Sequence, residues 1–438
     1  MVKILDSTTK LSEIIIWILM YILSIIHGLM EIAPGILSSC VTEIKEELKT
    51  SDKEFGLFGT LQRFGSFLGS FAFTIIIERV NHKYLISIML LINCFSNFAF
   101  FFGLKYPILL ISRFVSGFVC VFCYIYFPMW VDKFGMKKWV NFMQTFIQVL
   151  NTLGNILGYF FFLLFGDYQW KYGFLVESLS ISFLVIFMIL IPSKYYDKNY
   201  INPDSIEENF TANLPEKEEK TLSFPKNEEQ ETIIKDIICN IPYILICLYR
   251  GNRLFIYVAI SYWYSDYLQT SLMEKNSSSI FWSYSVSMVF ASLFGNILGG
   301  IIINLIGGTH SKHSFIAMII LQFISVIFGL FSSFTNSVLI FTILMSLYIF
   351  INCASGIITI SASFEVMPKT LKGTATGIYS IIVNLTAFLP ASYAYAFIKG
   401  LLGDKYIIIA LMLYGLFGCF ELFIADIYMR IKKRRIYK

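Results

Sequence analysis

The sequence predicts an all-α polytopic membrane protein with twelve transmembrane helices in two pseudo-symmetric six-helix bundles. Three observations predict it: the composition, the length of the apolar runs, and one polar interruption near the middle. Hydrophobic residues make up 57% of the 438 positions and charged residues 14%, where a soluble chain would carry about a quarter charged. Apolar runs of about 20 residues, separated by short polar punctuation, each suffice to cross a bilayer. The long polar stretch at 193–240 contains NPDSIEENFTANLPEKEEK and KNEEQE. It is too acidic and too poor in aromatic residues to bury a core, which predicts a flexible linker.

The predicted spans are 14–37, 55–77, 84–104, 107–131, 140–165 and 172–192, then 241–268, 279–306, 313–333, 336–360, 373–399 and 405–430. They divide the chain into an N-terminal bundle (1–192), the acidic linker (193–240) and a C-terminal bundle with a basic tail (241–438). The first run is longer than a signal-peptide core of about 7–15 residues and is expected to remain as a membrane helix.

Loop charges set the orientation. Arg79 and Lys83, then Lys133, Lys137 and Lys138, then Lys369 and Lys372, and the tail KKRR at 432–435 fall on one side. Lys45, Lys49 and Lys53, diluted by acids, fall on the other. Both termini and the linker are therefore expected in the cytosol. Whether the membrane is the plasma membrane or an endomembrane stays open.

The net charge of +5 is spread over helix ends, not gathered on one face, so nucleic-acid binding is not expected. Cys120-x-x-Cys123 has no further ligands at metal spacing. No disulfide framework, metal or cofactor is expected. No nucleophile elbow, phosphate loop or H-E-x-x-H is present, so enzyme chemistry is not expected either. The partners anticipated are a small-molecule or lipid substrate, protons and membrane lipids, with the chain acting as a monomer.

Glycines four apart recur at Gly65 and Gly69, Gly154 and Gly158, and Gly295 and Gly299. Such spacing lets helix backbones approach closely in lipid. Its recurrence in both halves hints at duplication around a midplane site.

Several motifs resemble the major facilitator superfamily. The turn Glu78-Arg79-Val80-Asn81-His82-Lys83 is similar to its D-R-x-G-R-K loop signature, without the usual Asp. Arg113-x-x-x-Gly117 and the stretch from Glu365 to Gly377 are similar to two others. The stretches 113–135 and 238–268, with Gln144, Gln148, Trp170-Lys171 and Ile191-Pro192, resemble the Spinster-like branch. Ala33 stands close to where that branch would carry an acid. The resemblance implies a transporter, with lysophospholipid or sphingolipid movement and proton coupling as the branch's associations. It also implies that Glu78, Arg79, Glu365 and Gly117 serve as gate or scaffold residues.

Ionisable groups inside spans are expensive in lipid and are functional candidates by default. Glu31, Arg63 and Arg113 reach similar depth in the outer half of spans 1, 2 and 4. A Glu31–Arg113 pair is expected, with Arg63 as alternative partner. It would couple protons, because burial and a neighbouring cation act on a carboxyl in opposite senses. A permanent structural ion pair is the alternative. His27, one turn earlier, either relays the proton or bonds a neighbouring helix.

Arg250 and Arg253 lie mid-membrane if span 7 starts at Ile241, and would then bind an anionic headgroup or carboxylate beside Tyr257. They snorkel at the interface if it starts at Asn252. Gly251 and Asn252 would weaken a discontinuous helix there. The polar stripe Gln144, Gln148, Asn151 and Asn155 on span 5 is expected to line a cavity, with Tyr124 a further substrate contact. Glu177 and Asp266, towards span ends, are expected to be solvated or paired.

These residues predict a secondary active transporter moving a small organic or lipid-like, anionic or zwitterionic solute by alternating access, with proton coupling. A Spinster-like lysophospholipid or sphingolipid transporter is the sharper alternative. A non-transporting membrane receptor or scaffold that keeps the fold is the alternative of another class.

Overall fold

The computed structural model describes residues 2–76, 80–136, 139–165, 169–196, 237, 239–305, 313–366, 372–404 and 406–436, with some side chains inside helices excepted. The 197–236 part of the expected linker, and the turn holding Glu78 and Arg79, lie outside the described residues.

Every predicted span is helical over most of its described residues. Span 1 is Val2–Leu29 continued by Ile32–Ser39, and a further short helix, Val41–Leu48, follows it. Spans 2 to 6 are Asp52–Ile76, His82–Phe101, Tyr106–Phe134, Val140–Phe165 and Trp170–Leu190. Span 7 is Ile241–Thr270. Span 8 runs from Ser277–Tyr284 through a widened turn, Ser285–Phe290, into Ala291–Leu305. Spans 9 and 10 are His313–Ser332 and Val338–Glu365. Span 11 is Lys372–Val383, a widened turn Asn384–Phe388, and Ala391–Leu402; span 12 is Ile407–Ile436.

Among the described residues, ten of these helices are long and apolar enough to cross a membrane unaided. Spans 2 and 5 are the other two. Asp52, Lys53, Glu54, Gln62 and Arg63 dilute the first, and several side chains of the second lie outside the described residues. Span 2 lies against the central cavity, where lost hydropathy costs little.

The helix packing repeats under a shift of six. Span 2 packs on 4 and 8 on 10; span 3 on 6 and 9 on 12; span 1 on 5 and 7 on 11. The contacts that cross between residues 2–190 and 241–436 obey the same shift, span 2 on 11 and span 5 on 8.

Glycines allow the tightest of these crossings. A Cβ at Gly117 of span 4 would run into the Gln62 carbonyl of span 2, and one at Gly154 of span 5 into that of Gly28 in span 1. Gly295 and Gly299 face the Phe350 and Ala354 carbonyls of span 10 in the corresponding way. Gly117 thus sits at a helix crossing. Overpacking a tight site costs about 1–3 kcal/mol or more. Gly117→Leu and Gly154→Leu are therefore each expected to lower the thermal unfolding midpoint of detergent-solubilised protein, whereas Gly300→Leu, with open space around its Cβ position, leaves it unchanged.

Prolines account for two of the three irregular turns. Proline lacks an N–H and its ring clashes with the carbonyl four residues back. Pro34 therefore acts on Met30, and span 1 breaks at Met30–Glu31. Pro390 acts on Thr386 inside the widened turn of span 11, where the Leu389 amide reaches back to the Asn384 carbonyl at 3.0 Å. Widened turns favour functional sites, and those of spans 8 and 11 each put residues, Met288 and Phe388, on the cavity wall.

The start of span 7 at Ile241 places Arg250 and Arg253 inside the helix, not at its end. The expected discontinuity at Gly251 and Asn252 does not occur. The span is unbroken because Gly251 receives the Thr386 side chain where a Cβ would sit, and Asn252 donates to the Tyr414 carbonyl at 2.8 Å. The irregular backbone lies in spans 1, 8 and 11 instead.

Candidate functional site

A cavity of about 430 Å³ lies between the two sets of six helices. One wall carries His27, Glu31, Gln62, Arg63, Tyr124, Asn151 and Asn155; the other carries Tyr257, Ser261, Tyr262, Tyr284 and Phe388. Its charged and amide side chains all come from spans 1, 2 and 5, while the facing wall is mainly aromatic and hydroxylic.

Glu31 occupies the break in span 1. One of its oxygens accepts from the Tyr124 hydroxyl at 2.7 Å and from the Asn151 amide at 3.0 Å. Neither Arg63 nor Arg113 lies within 4 Å of its carboxylate among the described residues. Arg63 instead lays its guanidinium 5.1 Å over the Phe388 ring, across the cavity. Arg113 is 1% exposed, donates to Gln62, and lies 5.8 Å over the Phe100 ring. His27 is buried against the Tyr124 ring at 5.0 Å, its Nδ1 without a hydrogen-bond partner among the described residues. So the structure gathers Glu31, Tyr124, His27 and Asn151, and holds Arg113 one layer behind.

Glu177 and Asn97 were not singled out by sequence, or were placed differently. Glu177 is not solvated: it is fully buried, accepting the Ala33 amide at 2.7 Å and the Asn97 side-chain amide at 2.7 Å. It therefore caps the helix that restarts after Glu31. Pro34 was the sequence signal for this break, and an acid seven residues into span 6 was its available partner.

At the predicted outer end the cavity is sealed. Tyr284 stacks on Tyr159 with centroids 3.6 Å apart and donates to Asn155 at 2.6 Å. Above it, Asp266, fully buried, binds Lys45 at 2.7 Å and Lys399 at 2.5 Å. Lys45 also binds Asp52 at 2.5 Å, and Lys399 binds Asp52 and Asp404 at 3.2 Å each. Each lysine thereby bridges residues from both sets of helices. Both lie over the Trp263 ring, at 5.7 and 5.9 Å, and that indole donates to the Ser392 carbonyl at 2.9 Å. Trp263 belongs to this seal. Tyr126 bonds the Tyr196 carbonyl and stacks on His82, away from the cavity.

Arg250 and Arg253 do not line this cavity. Arg253 is 2% exposed and bonds the Asn352 carbonyl and, at 2.8 Å, its side-chain oxygen. Gln144 and Gln148 lie on span 5 with Asn151, and Glu365 ends span 10, but these three side chains lie outside the described residues. No cluster of three or more metal-ligating side chains occurs among the described residues.

Two sets of six helices that meet at one end over a shared polar cavity have the architecture of a membrane carrier. The chain belongs to the Major Facilitator Superfamily, a transporter family whose model matches residues 20–391. The fold is similar to that of a bacterial homolog of the human lysosomal transporter Spinster in an inward-facing, occupied conformation. That similarity has a TM-score of 0.72 and 12% identity, over 93% of this chain and 96% of that one. It is also similar to a D-xylose–proton symporter, with TM-score 0.70 and 12% identity over 92% and 96% of the two chains. A third neighbour is the nucleoside transporter NupG, with TM-score 0.69 and 14% identity over 93% and 98%. An Arabidopsis thaliana protein named for polyol transport is 23% identical over 169 residues, 36% of this chain and 32% of that protein. The chain spans about a third of that relative's length.

Proposed function

We propose that this protein is a secondary active transporter that moves a small organic or lipid-like, anionic or zwitterionic solute by alternating access, driven by protons through Glu31. The observation that carries the reading is the setting of Glu31: a cavity carboxylate held by two neutral donors, Tyr124 and Asn151, with no cation paired to it among the described residues. Such a group can take a proton without breaking an ion pair, and it sits where span 1 is broken and able to pivot. Arg113, one layer away behind Gln62, is the cation that a rearranged Glu31 would reach, with His27 beside the Tyr124 ring. Arg63, Tyr124 and Tyr257 face the solute. By sequence alone, Gln144 and Gln148 would join the solute-binding set, and Glu78, Arg79 and Glu365 would act at the cytosolic gate.

Opening would alternate between the sealed end at Asp266 and the end carrying the termini, taken as cytosolic. Residues 1–192 and 241–438 rock as two bodies joined by the linker. The lipid version, a Spinster-like carrier of lysophospholipid or sphingolipid, is favoured by one further feature. A groove of about 990 Å³ between spans 8 and 10 exposes Trp282, Phe294 and Leu339 towards lipid.

Proteoliposomes test both versions by screening lysolipids against small organic anions, with internal pH recorded by a trapped dye. Glu31→Gln is expected to abolish proton-driven uptake while leaving solute exchange intact. Uptake with unchanged proton dependence in that variant removes Glu31 from the mechanism.

A further inference from the structure

The cation pair on span 7 is not absorbed by the central cavity. Arg250 and Arg253 are three residues apart on one helix face, and both guanidinium heads converge on Gly356 of span 10. A Cβ there would lie 2.6 Å from Arg250 Nη1 and 3.1 and 3.2 Å from the two terminal nitrogens of Arg253. Nε and Nη1 of Arg253 and Nε of Arg250 have no hydrogen-bond partner among the described residues.

Nor is there a counter-charge among the described residues. The titratable groups acting on Arg250 are Arg253, Tyr379, Cys353 and Tyr249, none of them a carboxylate. No described acid lies within 4 Å of either guanidinium. Two like charges side by side inside a membrane are expensive. The structural contacts of Arg253, its bonds to Asn352 and the Tyr249 ring 5.7 Å from its guanidinium, leave the unpartnered nitrogens of both arginines unexplained.

We propose that Arg250 and Arg253, whose guanidinium heads both lie against Gly356, form an anion subsite that takes a doubly charged tetrahedral oxyanion. Two guanidinium forks offer paired N–H donors matched to such oxygens. A single carboxylate would leave one positive charge uncompensated, whereas a phosphate monoester or sulfate neutralises both. The fork is reached two turns along span 7 from Tyr257 on the cavity wall. A solute could thus place its anionic end here and the rest of itself in the cavity. The inference rests on the carrier reading only in taking the bound anion to be the solute's own group.

The test is equilibrium binding to the purified full chain in nanodiscs, by calorimetry, with sodium sulfate, inorganic phosphate, n-dodecyl phosphate and sodium acetate as probes. Sulfate and phosphate are expected to bind at least tenfold more tightly than acetate. Arg250→Gln and Arg253→Gln are each expected to weaken them tenfold or more. Because Arg253→Gln also loses the Asn352 bonds, Gly356→Val serves as a second variant. It keeps both arginines, crowds their guanidinium heads, and is expected to weaken oxyanion binding with circular dichroism unchanged. Dodecyl phosphate binding more tightly than phosphate identifies an amphiphile's headgroup as the source of the oxyanion; the reverse identifies a free one. Acetate binding as tightly as sulfate, none of the probes binding, or binding that ignores all three variants overturns the site. Arginine-dependent binding without any solute movement would overturn the carrier reading alone. Glu31-dependent transport with arginine-independent binding would overturn this site alone.

Discussion

Asp266→Ala is expected to open the sealed end of the cavity. Its carboxylate is the fully buried one of the two that both Lys45 and Lys399 grip, at 2.7 and 2.5 Å, Asp52 being the other. Removing it leaves two ammonium groups facing each other over Trp263 with only Asp52 and the rim residue Asp404 to share. Taking one partner from a buried ion pair costs about 3–5 kcal/mol, because the orphaned charge stays desolvated. Here the chain has an alternative to unfolding: separating the two sets of helices returns both lysines to water. At about 1.4 kcal/mol per decade, the closed form would lose roughly two to four decades of population relative to the open one. The measurement is labelling of Ser261→Cys, on the cavity wall, in a cysteine-free background in sealed vesicles, using a membrane-impermeant maleimide. Labelling from the side of the short helix Val41–Leu48 should rise at least tenfold in Asp266→Ala. Asp404→Ala, which removes a half-exposed partner at 3.2 Å, should change it little, as exposed pairs are worth about 0–1 kcal/mol. Equal labelling of the Asp266→Ala and parent proteins, both folded, would mean that the aromatic seal at Tyr159 and Tyr284 closes this end without the charges.

The spans could be read from hydropathy because lipid enforces an approximate length on each one, and the structure moves most of their ends by only a few residues. The glycine spacing was equally readable: close backbone approach has few other solutions, and Gly117, Gly154 and Gly295 all sit at crossings. The candidate site was readable in kind but not in pairing. Glu31, Tyr124, Asn151 and Asn155 share the cavity because a polar side chain on an apolar span must face protein or water. Which of them bond each other depends on helix rotation and on the break at Pro34, neither of which a one-dimensional pattern specifies. That is why a Glu31–Arg113 pair looked natural from depth alone, while Gln62 and Tyr124 stand between the two. Glu177 and Asp266 were harder still. Each looks like an interfacial acid by position, and only the packing of spans 1, 3 and 6 brings Ala33 and Asn97 to Glu177, and that of 7 and 11 brings Lys399 to Asp266.

Glu177→Ala should be among the most damaging single changes in the first six helices. Two donors, the Ala33 amide and the Asn97 side chain, lose their acceptor inside the bundle. Each unsatisfied buried donor costs about 1–3 kcal/mol. Glu177 is also the carboxylate whose field acts on the fully buried Arg113, so that cation loses its nearby counter-charge as well. A combined loss of about 3–5 kcal/mol is expected, read as a lower unfolding midpoint in detergent. Glu177→Gln separates the two contributions. A glutamine offers one acceptor for Ala33, and its NH₂ could meet the Asn97 oxygen, which has no partner among the described residues, once that amide flips. Both hydrogen bonds can therefore be recovered without the charge. The glutamine variant should fall between the parent and the alanine variant, with the remaining deficit reporting the charge on Arg113. A glutamine variant as stable as the parent would assign Glu177 to hydrogen bonding alone. An alanine variant within about 1 kcal/mol of the parent would mean that the restart of span 1 after Glu31 is held by Pro34 and packing, not by this cap.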